Sequence, residues 1–277
     1  MNTFPLEQFL AECNQINGNP INKKTHVFKP RKSKKNAVVE CIPNKGNLGH
    51  YAVKYFPPER EIHRRTELRV LNTLHEEGLR VPGVILDLND FLVLQWVNGI
   101  AMADMLSIKE ERDLLSHGVK INLGEIAKRL GTWLADLHYM LDHFMEVCSR
   151  GDANLRNFIF SPEGEIWAVD FENASARAPV TDIWNLFDSI LILSPGLYEK
   201  DKEALEWKLK FCVDILESYF AKGSLAGISG TQGFKRFMGG LFDTMETNAT
   251  RRNIPLPKPL LFEVYGDLRE QINSIVG

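Results

Sequence analysis

Two short predicted strands with polar side chains at their ends constrain this chain more than any other feature. The segment 150–160 reads RGDANLRNFIF and the segment 167–172 reads WAVDFE, with a predicted turn at 161–164. Aromatic and β-branched residues favour strands at 158–160 and 166–169. Asp152 lies in the loop before the first strand, Asn157 leads into that strand, and Asp170 ends the second strand.

These three side chains suit phosphoryl transfer. Carboxylate and amide oxygens are the hard ligands that Mg²⁺ prefers. Phosphoryl transfer needs metal ions that neutralise phosphate oxygens and a carboxylate that orients the attacking hydroxyl group. Each residue alone is also typical of an ordinary loop, but their joint spacing favours a phosphotransferase site.

The other sequence patterns divide the chain at Asn98 and Gly99. Before this point we predict a short helix at 4–16 and the order β-β-β-α-β-β, with segments at 25–29, 37–42, 50–56, 59–78, 84–88 and 91–97. After it, long amphipathic helices dominate, most clearly at 123–144. We therefore predict an α+β fold: an N-terminal lobe, residues 1–98, with a five-stranded sheet plus helix, and a helical C-terminal lobe, residues 99–277.

The motifs Gly151-Asp152-x4-Asn157 and Val169-Asp170-Phe171 resemble the catalytic and metal-binding loops of the protein-kinase-like superfamily. They are most similar to its atypical branches: the RIO kinases, the lipopolysaccharide sugar kinases, and the aminoglycoside and choline kinases. The resemblance implies a bilobal kinase-like fold with ATP and Mg²⁺ as cofactors. It implies that residues 1–98 bind the nucleotide and that residues 99–277 carry the catalytic loop, the metal site and the acceptor side. It further implies that Asp152 is the catalytic base, that Asn157 is a catalytic-loop metal ligand, and that Asp170 is the main Mg²⁺ ligand.

The resemblance extends to the N-terminal half. Ala52-Val53-Lys54 resembles the strand motif whose lysine grips the α- and β-phosphates, although a lone strand lysine is usually solvated. Glu67 is the expected helix partner of Lys54, with Glu61 as a rival and surface exposure as the alternative for both. The run 95–99 resembles the hinge whose backbone binds adenine, so the resemblance implies nucleotide contacts at three consecutive positions: Gln95, Trp96 and Val97.

One family feature is missing between the first two strands. The family's glycine-rich phosphate loop is replaced by the basic run 29–36, KPRKSKKN. Two interpretations stay open. Lys32, Lys34 or Lys35 covers the triphosphate by charge, or the run is a solvated or partner-binding surface.

The segment after Asp170 is also short. Eleven residues separate Asp170 from Asp182, and Glu172 stands where typical protein kinases have glycine. Asp182 resembles the buried helix aspartate that braces the catalytic loop, but it equally suits an acid at a helix N-terminus. We expect His138 to have a core or capping role.

Composition limits the partners and the location. A formal net charge of −3 gives no clear nucleic-acid signal, and no apolar stretch is long enough for a membrane span. Four scattered cysteines and the absence of a signal-peptide pattern favour a cytoplasmic location.

The sequence thus predicts an ATP-dependent phosphotransferase that moves the γ-phosphate to a hydroxyl acceptor, either a small molecule or sugar or a protein Ser/Thr. Arg236, Arg251 and Arg252 would suit an anionic acceptor, or they are surface charges. The alternative is a pseudokinase that binds nucleotide or a protein partner without catalysis, which the missing glycine loop favours. A purely structural helical protein is a third possibility, and it leaves the loop spacing unexplained.

Overall fold

The fold is described from a computed structural model of the 277-residue chain. It covers residues 4–16, 18, 21–31, 37–45, 49–107, 122–146, 149–192, 201–222 and 230–253, with 256, 263, 266, 270–271 and 273–275. The chain divides into two compact units. The first contains Met1–Asn98 and Asp170–Asn173, and the second contains Gly99–Val169 and Ala174–Gly277.

The first unit is built on a five-stranded antiparallel sheet of order β1-β2-β3-β5-β4. Its strands are β1 (His26–Arg31), β2 (Ala37–Pro43), β3 (Tyr51–Tyr55), β4 (Val84–Asp87) and β5 (Phe91–Gln95). Helix α1 (Leu6–Asn14) precedes the sheet, and helix α2 (Glu61–Glu76) lies between β3 and β4 in the chain.

The two faces of this sheet differ because successive side chains of a strand point to opposite sides. On one face, apolar side chains pack against Phe9, Leu10 and Cys13 of α1; they are Val39, Cys41, Val53, Phe91 and Val93. Alternation then directs Lys54 to the other face, in register with Val38 of β2 and Leu92 of β5. A lysine in the middle of the sheet is therefore a consequence of the strand pattern.

The second unit combines a three-stranded sheet with five helices among its described residues. The sheet has the order β6-β7-β8, with β6 (Ile100–Ala101), β7 (Phe158–Phe160) and β8 (Ile166–Ala168). The helices are α3 (Met102–Ser107), α4 (Leu123–Met145), α5 (Val180–Leu191), α6 (Lys202–Lys222) and α7 (Gly230–Arg251).

Helix α4 packs along α6 and forms the centre of this unit. The Asn122 side chain caps the α4 N-terminus by accepting from the N–H groups of Gly124 and Glu125. The buried face repeats at helical spacing, with Leu130, Leu134, Leu137 and Leu141 among its members. None of the helices in the described part of the chain is long and apolar enough to cross a bilayer.

The predicted α+β class is confirmed, and so is the order of the elements in the first unit. The sequence patterns did not predict strand β6 or helix α3, because both are too short to show periodicity. Asp170–Asn173 groups with the first unit, whereas the division at residue 98 places it in the second lobe. Lys32, Lys34 and Lys35, for which a phosphate-covering role and a surface role were left open, lie outside the described residues.

The contact between α4 and α6 depends on Gly131. A Cβ at this position would meet the carbonyl oxygen of Ile215 and the hydroxyl of Ser218. Because the carbonyl belongs to a helix backbone, the helices must separate, so we expect Gly131→Ala to lose about 1–3 kcal/mol of unfolding free energy.

Urea denaturation checks this prediction, with Gly239→Ala in α7 as the matched control. An added Cβ at Gly239 meets nothing within 4 Å. Alanine has a better helix propensity than glycine by about 1 kcal/mol, so this change should be neutral or stabilising. Equal losses in the two variants would contradict the close approach of α4 and α6.

Candidate active site

The Lys54 ammonium group is the centre of a buried charge cluster in the first unit. Its Nζ lies 2.5 Å from Glu67 Oε2 and 2.8 Å from Asp170 Oδ1, and 3.9 Å from Glu172 Oε2. Only 9% of the Lys54 side chain is exposed, and Glu67 is fully buried. One ammonium group is thus shared by three carboxylates.

The structure also separates the two candidate partners of Lys54. Glu67 pairs with Lys54, whereas Glu61 pairs with Arg64 and Arg65. Glu61 stands at the start of α2, and these arginines follow three and four residues later, at the spacing that brings helical side chains together. Glu67 is therefore the α2 carboxylate that reaches the sheet.

The crowding of carboxylates sets the ionisation of the cluster. Burial by itself lowers the pKa of Lys54, but Asp170, Glu67 and Glu172 outweigh this effect and hold that pKa above its usual value. Burial raises the pKa of Glu67 to about 7, because Asp170 and Glu172 add to the effect of burial and Lys54 only partly opposes it. The two pKa shifts mean that Lys54 stays charged and that Glu67, the most buried of the three acids, takes up a proton before the other two as the pH falls.

Glu172 has two further contacts, both with residues at the start of α2. Arg60 Nη2 lies 2.9 Å from Glu172 Oε1, and His63 Nδ1 lies 2.9 Å from the Glu172 carbonyl oxygen. Neither Arg60 nor His63 was predicted from the sequence. A signal was present, because positions 60, 63 and 67 follow the three- and four-residue spacing of a single helix face.

The donor set of this cluster fits a divalent cation. Glu67, Asp170 and Glu172 each offer an oxygen atom, and these atoms lie within 4.8 Å of one another. Once Glu67 is ionised, three carboxylates face the two cations Lys54 and Arg60, so negative charge is then in excess. Asp170 is the most accessible of the three, with 35% of its side chain exposed. The chemistry of these oxygens is that of a Mg²⁺ site.

In the second unit, a buried carboxylate holds the loop that carries Asp152. Asp182 of α5 is fully buried. Its two oxygens accept hydrogen bonds from the Arg150 and Gly151 N–H groups, at 2.7 and 3.1 Å, and from the Ser149 hydroxyl at 2.9 Å. Of the two interpretations of Asp182, this geometry supports the brace.

His138 completes the support of Asp182. Its Nε2 lies 3.1 Å from Asp182 Oδ2, and its Nδ1 lies 2.8 Å from the Tyr219 hydroxyl. The ring is buried, as expected for a core role. His138 therefore acts on the loop through Asp182.

Arg150 and Gly151 explain the local backbone of the loop. The Arg150 guanidinium is fully buried over the Phe158 ring and donates to the Val169 carbonyl at 2.6 Å. Gly151 has a φ of 81°, in the left-handed region where a side chain costs roughly 1–2 kcal/mol. The glycine before Asp152 is thus a conformational requirement.

Asp152 and Asn157 are joined inside this loop. The Asn157 side-chain amide donates to the Asp152 carbonyl at 3.0 Å, and the Asn157 carbonyl accepts from Val169 N–H at 3.0 Å. The amide nitrogen is therefore used within the loop, and the Asn157 Oδ1 atom is the oxygen suited to a metal.

In the predicted hinge, residues 95–97, two of the three backbone N–H groups donate to acceptors within the protein. The Gln95 N–H donates to Gly83 and the Trp96 N–H donates to His50, at 2.8 and 3.2 Å. The Trp96 ring stacks on His50 with centroids 4.6 Å apart, and the Arg31 guanidinium lies 5.4 Å from the Trp96 ring. Within the described part of the chain, no acceptor is found for the Val97 N–H.

The three candidate acceptor arginines lie on or directly after α7. Arg252 Nη2 lies 3.3 Å from the buried Asp188 carboxylate, and Arg251 donates to Asn248. Asn248 also donates to Asp188, at 2.8 Å. Arg252 thus stabilises a buried acid, while Arg236 is exposed.

The raised pKa of Glu67 predicts a pH-dependent stability. The folded state keeps a proton on Glu67 up to a pH of about 7, whereas the ordinary pKa is 4.5. Stability from this group is complete below pH 4.5 and is lost as the pH rises through 7. From about pH 5 to about pH 8, we expect the Tm of the wild type to fall more steeply than that of Glu67→Gln. The corresponding loss in unfolding free energy is up to about 3 kcal/mol.

Thermal unfolding across this pH range tests the assignment. Glu76→Gln, which removes an exposed carboxyl group from the same helix, serves as the control and should follow the wild type. Parallel curves for wild type and Glu67→Gln would show that Glu67 is ionised throughout.

Comparison with known proteins relates this geometry to solved folds. No protein-family model matches the sequence, and no curated protein matches it. An amicoumacin kinase in complex with AMP-PNP, Ca²⁺ and Ami is structurally similar, with a TM-score of 0.56 and 14% identity over 92% of this chain and 89% of that chain. An aminoglycoside phosphotransferase from Streptomyces rimosus in complex with ADP and streptomycin has a TM-score of 0.50 and 15% identity, over 88% of this chain and 99% of that chain.

At these identities, the similarity establishes the fold alone. Both solved structures are protein-kinase-like, and the five-stranded antiparallel sheet and the helical second unit described above match that architecture. This chain has the protein-kinase-like fold.

Proposed function

We propose that this chain is an ATP- and Mg²⁺-dependent phosphotransferase that moves the γ-phosphate to a hydroxyl group of a small molecule. The observation that carries the proposal is the placement of Lys54. Its ammonium group is buried on the central strand β3 and is held by Glu67 and Asp170. Burying three carboxylates around one ammonium group is unfavourable for stability alone, which supports a functional role.

In the first unit, Lys54 would bind the α- and β-phosphates, and Glu67 would hold its ammonium group in place. Asp170 would hold Mg²⁺ through its carboxylate, since it is the most accessible acid of the cluster. When bound, the metal ion neutralises charge on the phosphate oxygens. The excess negative charge of the cluster supports this assignment.

The adenine ring would bind the backbone at 95–97. Because the Gln95 and Trp96 N–H groups donate within the protein, Val97 is the residue whose N–H would donate to the base. The stack of Trp96 on His50 supports this role by fixing the segment that precedes Val97.

In the second unit, Asp152 would orient the acceptor hydroxyl and accept its proton during transfer. Asn157 would offer its Oδ1 atom as a metal ligand. Asp182 and Arg150 would act on Asp152 indirectly, by holding the loop from behind. Preorganisation of this kind limits the movement that the reaction requires.

A small-molecule acceptor is supported by two observations. Two solved structures with this fold are named as an amicoumacin kinase and an aminoglycoside phosphotransferase. In addition, the segment between Asp170 and Asp182 has only eleven residues, which leaves little chain for a peptide-docking platform.

The function is tested by phosphate transfer from radiolabelled ATP to a panel of hydroxyl-bearing small molecules, with a generic protein substrate in parallel. We expect Mg²⁺-dependent labelling of a small molecule. We further expect that Asp152→Asn lowers turnover by about 10²–10⁴-fold with nearly unchanged ATP affinity. Asp142→Asn, which alters an exposed acid on α4, is the control.

Other outcomes of this assay point to other functions. Equal turnover by wild type and Asp152→Asn would remove the role of Asp152. ATP binding without labelling of any acceptor, and without slow ATP hydrolysis, would favour a pseudokinase.

Nucleotide binding gives a separate prediction for Lys54. Because its ammonium group is the cation expected to meet the phosphates, Lys54→Ala should weaken ATP–Mg²⁺ binding by about tenfold or more, as for loss of a charged hydrogen bond. Isothermal titration calorimetry measures the change, with Lys128→Ala on the exposed side of α4 as control. An unchanged dissociation constant would count against the nucleotide site.

A further inference from the structure

The segment Asp170–Asn173 is attached to the start of α2 by both the side chain and the backbone of Glu172. Arg60 Nη2 donates to Glu172 Oε1 at 2.9 Å, and 1% of the Glu172 side chain is exposed. His63 Nδ1 lies 2.9 Å from the Glu172 carbonyl oxygen. Since a carbonyl oxygen only accepts, Nδ1 carries the proton and His63 is the donor.

The backbone of this segment needs such support. Asp170 has a φ of 69°, in the left-handed region that residues other than glycine seldom adopt. A residue held there costs of order 1–3 kcal/mol and persists only where its surroundings enforce it. The two contacts of Glu172 lie two residues beyond Asp170, close enough in the chain to restrain the Asp170 backbone.

All of these contacts come from the N-terminal part of α2 and the residue before it. His63 and Glu67 lie four residues apart on α2 and share a helix face, and Arg60 directly precedes the helix. Arg60 binds the Glu172 carboxylate, His63 binds the Glu172 backbone, and Glu67 binds Lys54. Arg60 and His63, which contact the segment Asp170–Asn173, are therefore not among the candidate metal ligands.

Removal of Arg60 would change the balance of charge at Asp170. The buried Glu172 carboxylate would lose the cation at 2.9 Å, while the Lys54 ammonium group lies 3.9 Å from it. A buried carboxylate that loses one of its cations is strongly destabilised, so Glu172 would move toward Lys54. Lys54 already binds Asp170, and competition for its ammonium group would displace the Asp170 carboxylate.

We propose that Arg60 and His63 are positioning residues that, through Glu172, hold Asp170 in its left-handed conformation, with its carboxylate in the charge cluster where a metal ion would bind. The affinity of the site for its metal is thereby set at the start of α2. This inference rests on the proposed function, because it assigns the metal to Asp170. A guanidinium group cannot ligate a metal ion, so any effect of Arg60 on metal affinity is indirect.

Binding of Mn²⁺ in the presence of AMP-PNP tests the inference without turnover, because electron paramagnetic resonance reports the free Mn²⁺ directly. We expect Arg60→Met to weaken Mn²⁺ binding by about tenfold, the usual effect of losing a residue that orients a metal ligand. Arg60→Lys keeps the charge and should restore part of the affinity. AMP-PNP affinity without metal should be the same in all variants.

The matched control is Arg65→Met. Arg65, on α2, is also an arginine paired with a glutamate, but its partner is Glu61 and its side chain is exposed. It should bind Mn²⁺ as the wild type does. His63→Ala provides an independent variant should Arg60→Met not fold, and it should also weaken Mn²⁺ binding.

The outcomes separate this inference from the proposed function. If the wild type binds Mn²⁺ with AMP-PNP and both Arg60→Met and His63→Ala bind it equally well, the positioning role is wrong and the proposed function stands. A similar loss in Arg60→Met and Arg65→Met would overturn the inference as well, because the effect would then not depend on the contact with Glu172. If the wild type binds no Mn²⁺, both the inference and the proposed function fail.

Discussion

The first unit depends on one buried ammonium group. Lys54 stands on the central strand, and its charge is shared by Glu67 of α2 and by Asp170 and Glu172. Three parts of the chain that are distant in sequence thus meet at a single cation. Without it, three carboxylates would be left together in a site of low polarity, where their mutual repulsion is strong. The excess of carboxylates over cations is unfavourable for stability, and it also makes the cluster suited to a divalent cation.

A single charge of opposite sign organises the second unit. Asp182 accepts hydrogen bonds from the Arg150 and Gly151 backbone and from Ser149, and His138 contacts it from α4. A fully buried carboxylate is stable only when its oxygens are well paired, and the loop supplies these partners. The loop that carries Asp152 and Asn157 is therefore fixed before any ligand binds. In both units, a buried charge holds candidate site residues in position.

Much of this arrangement was accessible from the sequence. The alternation around Lys54 and the helical spacing of α4 predicted their elements, because both patterns are long and regular. The pairing of Glu67 with Lys54 and the brace by Asp182 were each one of several interpretations. The sequence could not separate them, since a helix acid looks the same whether it faces solvent or a buried partner. The structure resolves both through burial and hydrogen-bond partners.

Other features depend on contacts that no local pattern reports. Arg60 and His63 belong to a helix rich in charged residues, where functional and solvated side chains are alike. The Trp96 N–H donates to His50, a residue distant in sequence, so the sequence could not show that this N–H is used within the protein. Each of these features requires knowing which residues the fold brings together.

Crystals grown with AMP-PNP and Mn²⁺ provide the most direct measurement, because the anomalous signal locates the metal without assumptions about catalysis. The account predicts a Mn²⁺ peak bound by the Asp170 carboxylate, with the Lys54 ammonium group turned to the phosphates. A nucleotide bound elsewhere, or a metal without contact to Asp170, would contradict the central claim that this charge cluster is a nucleotide and metal site.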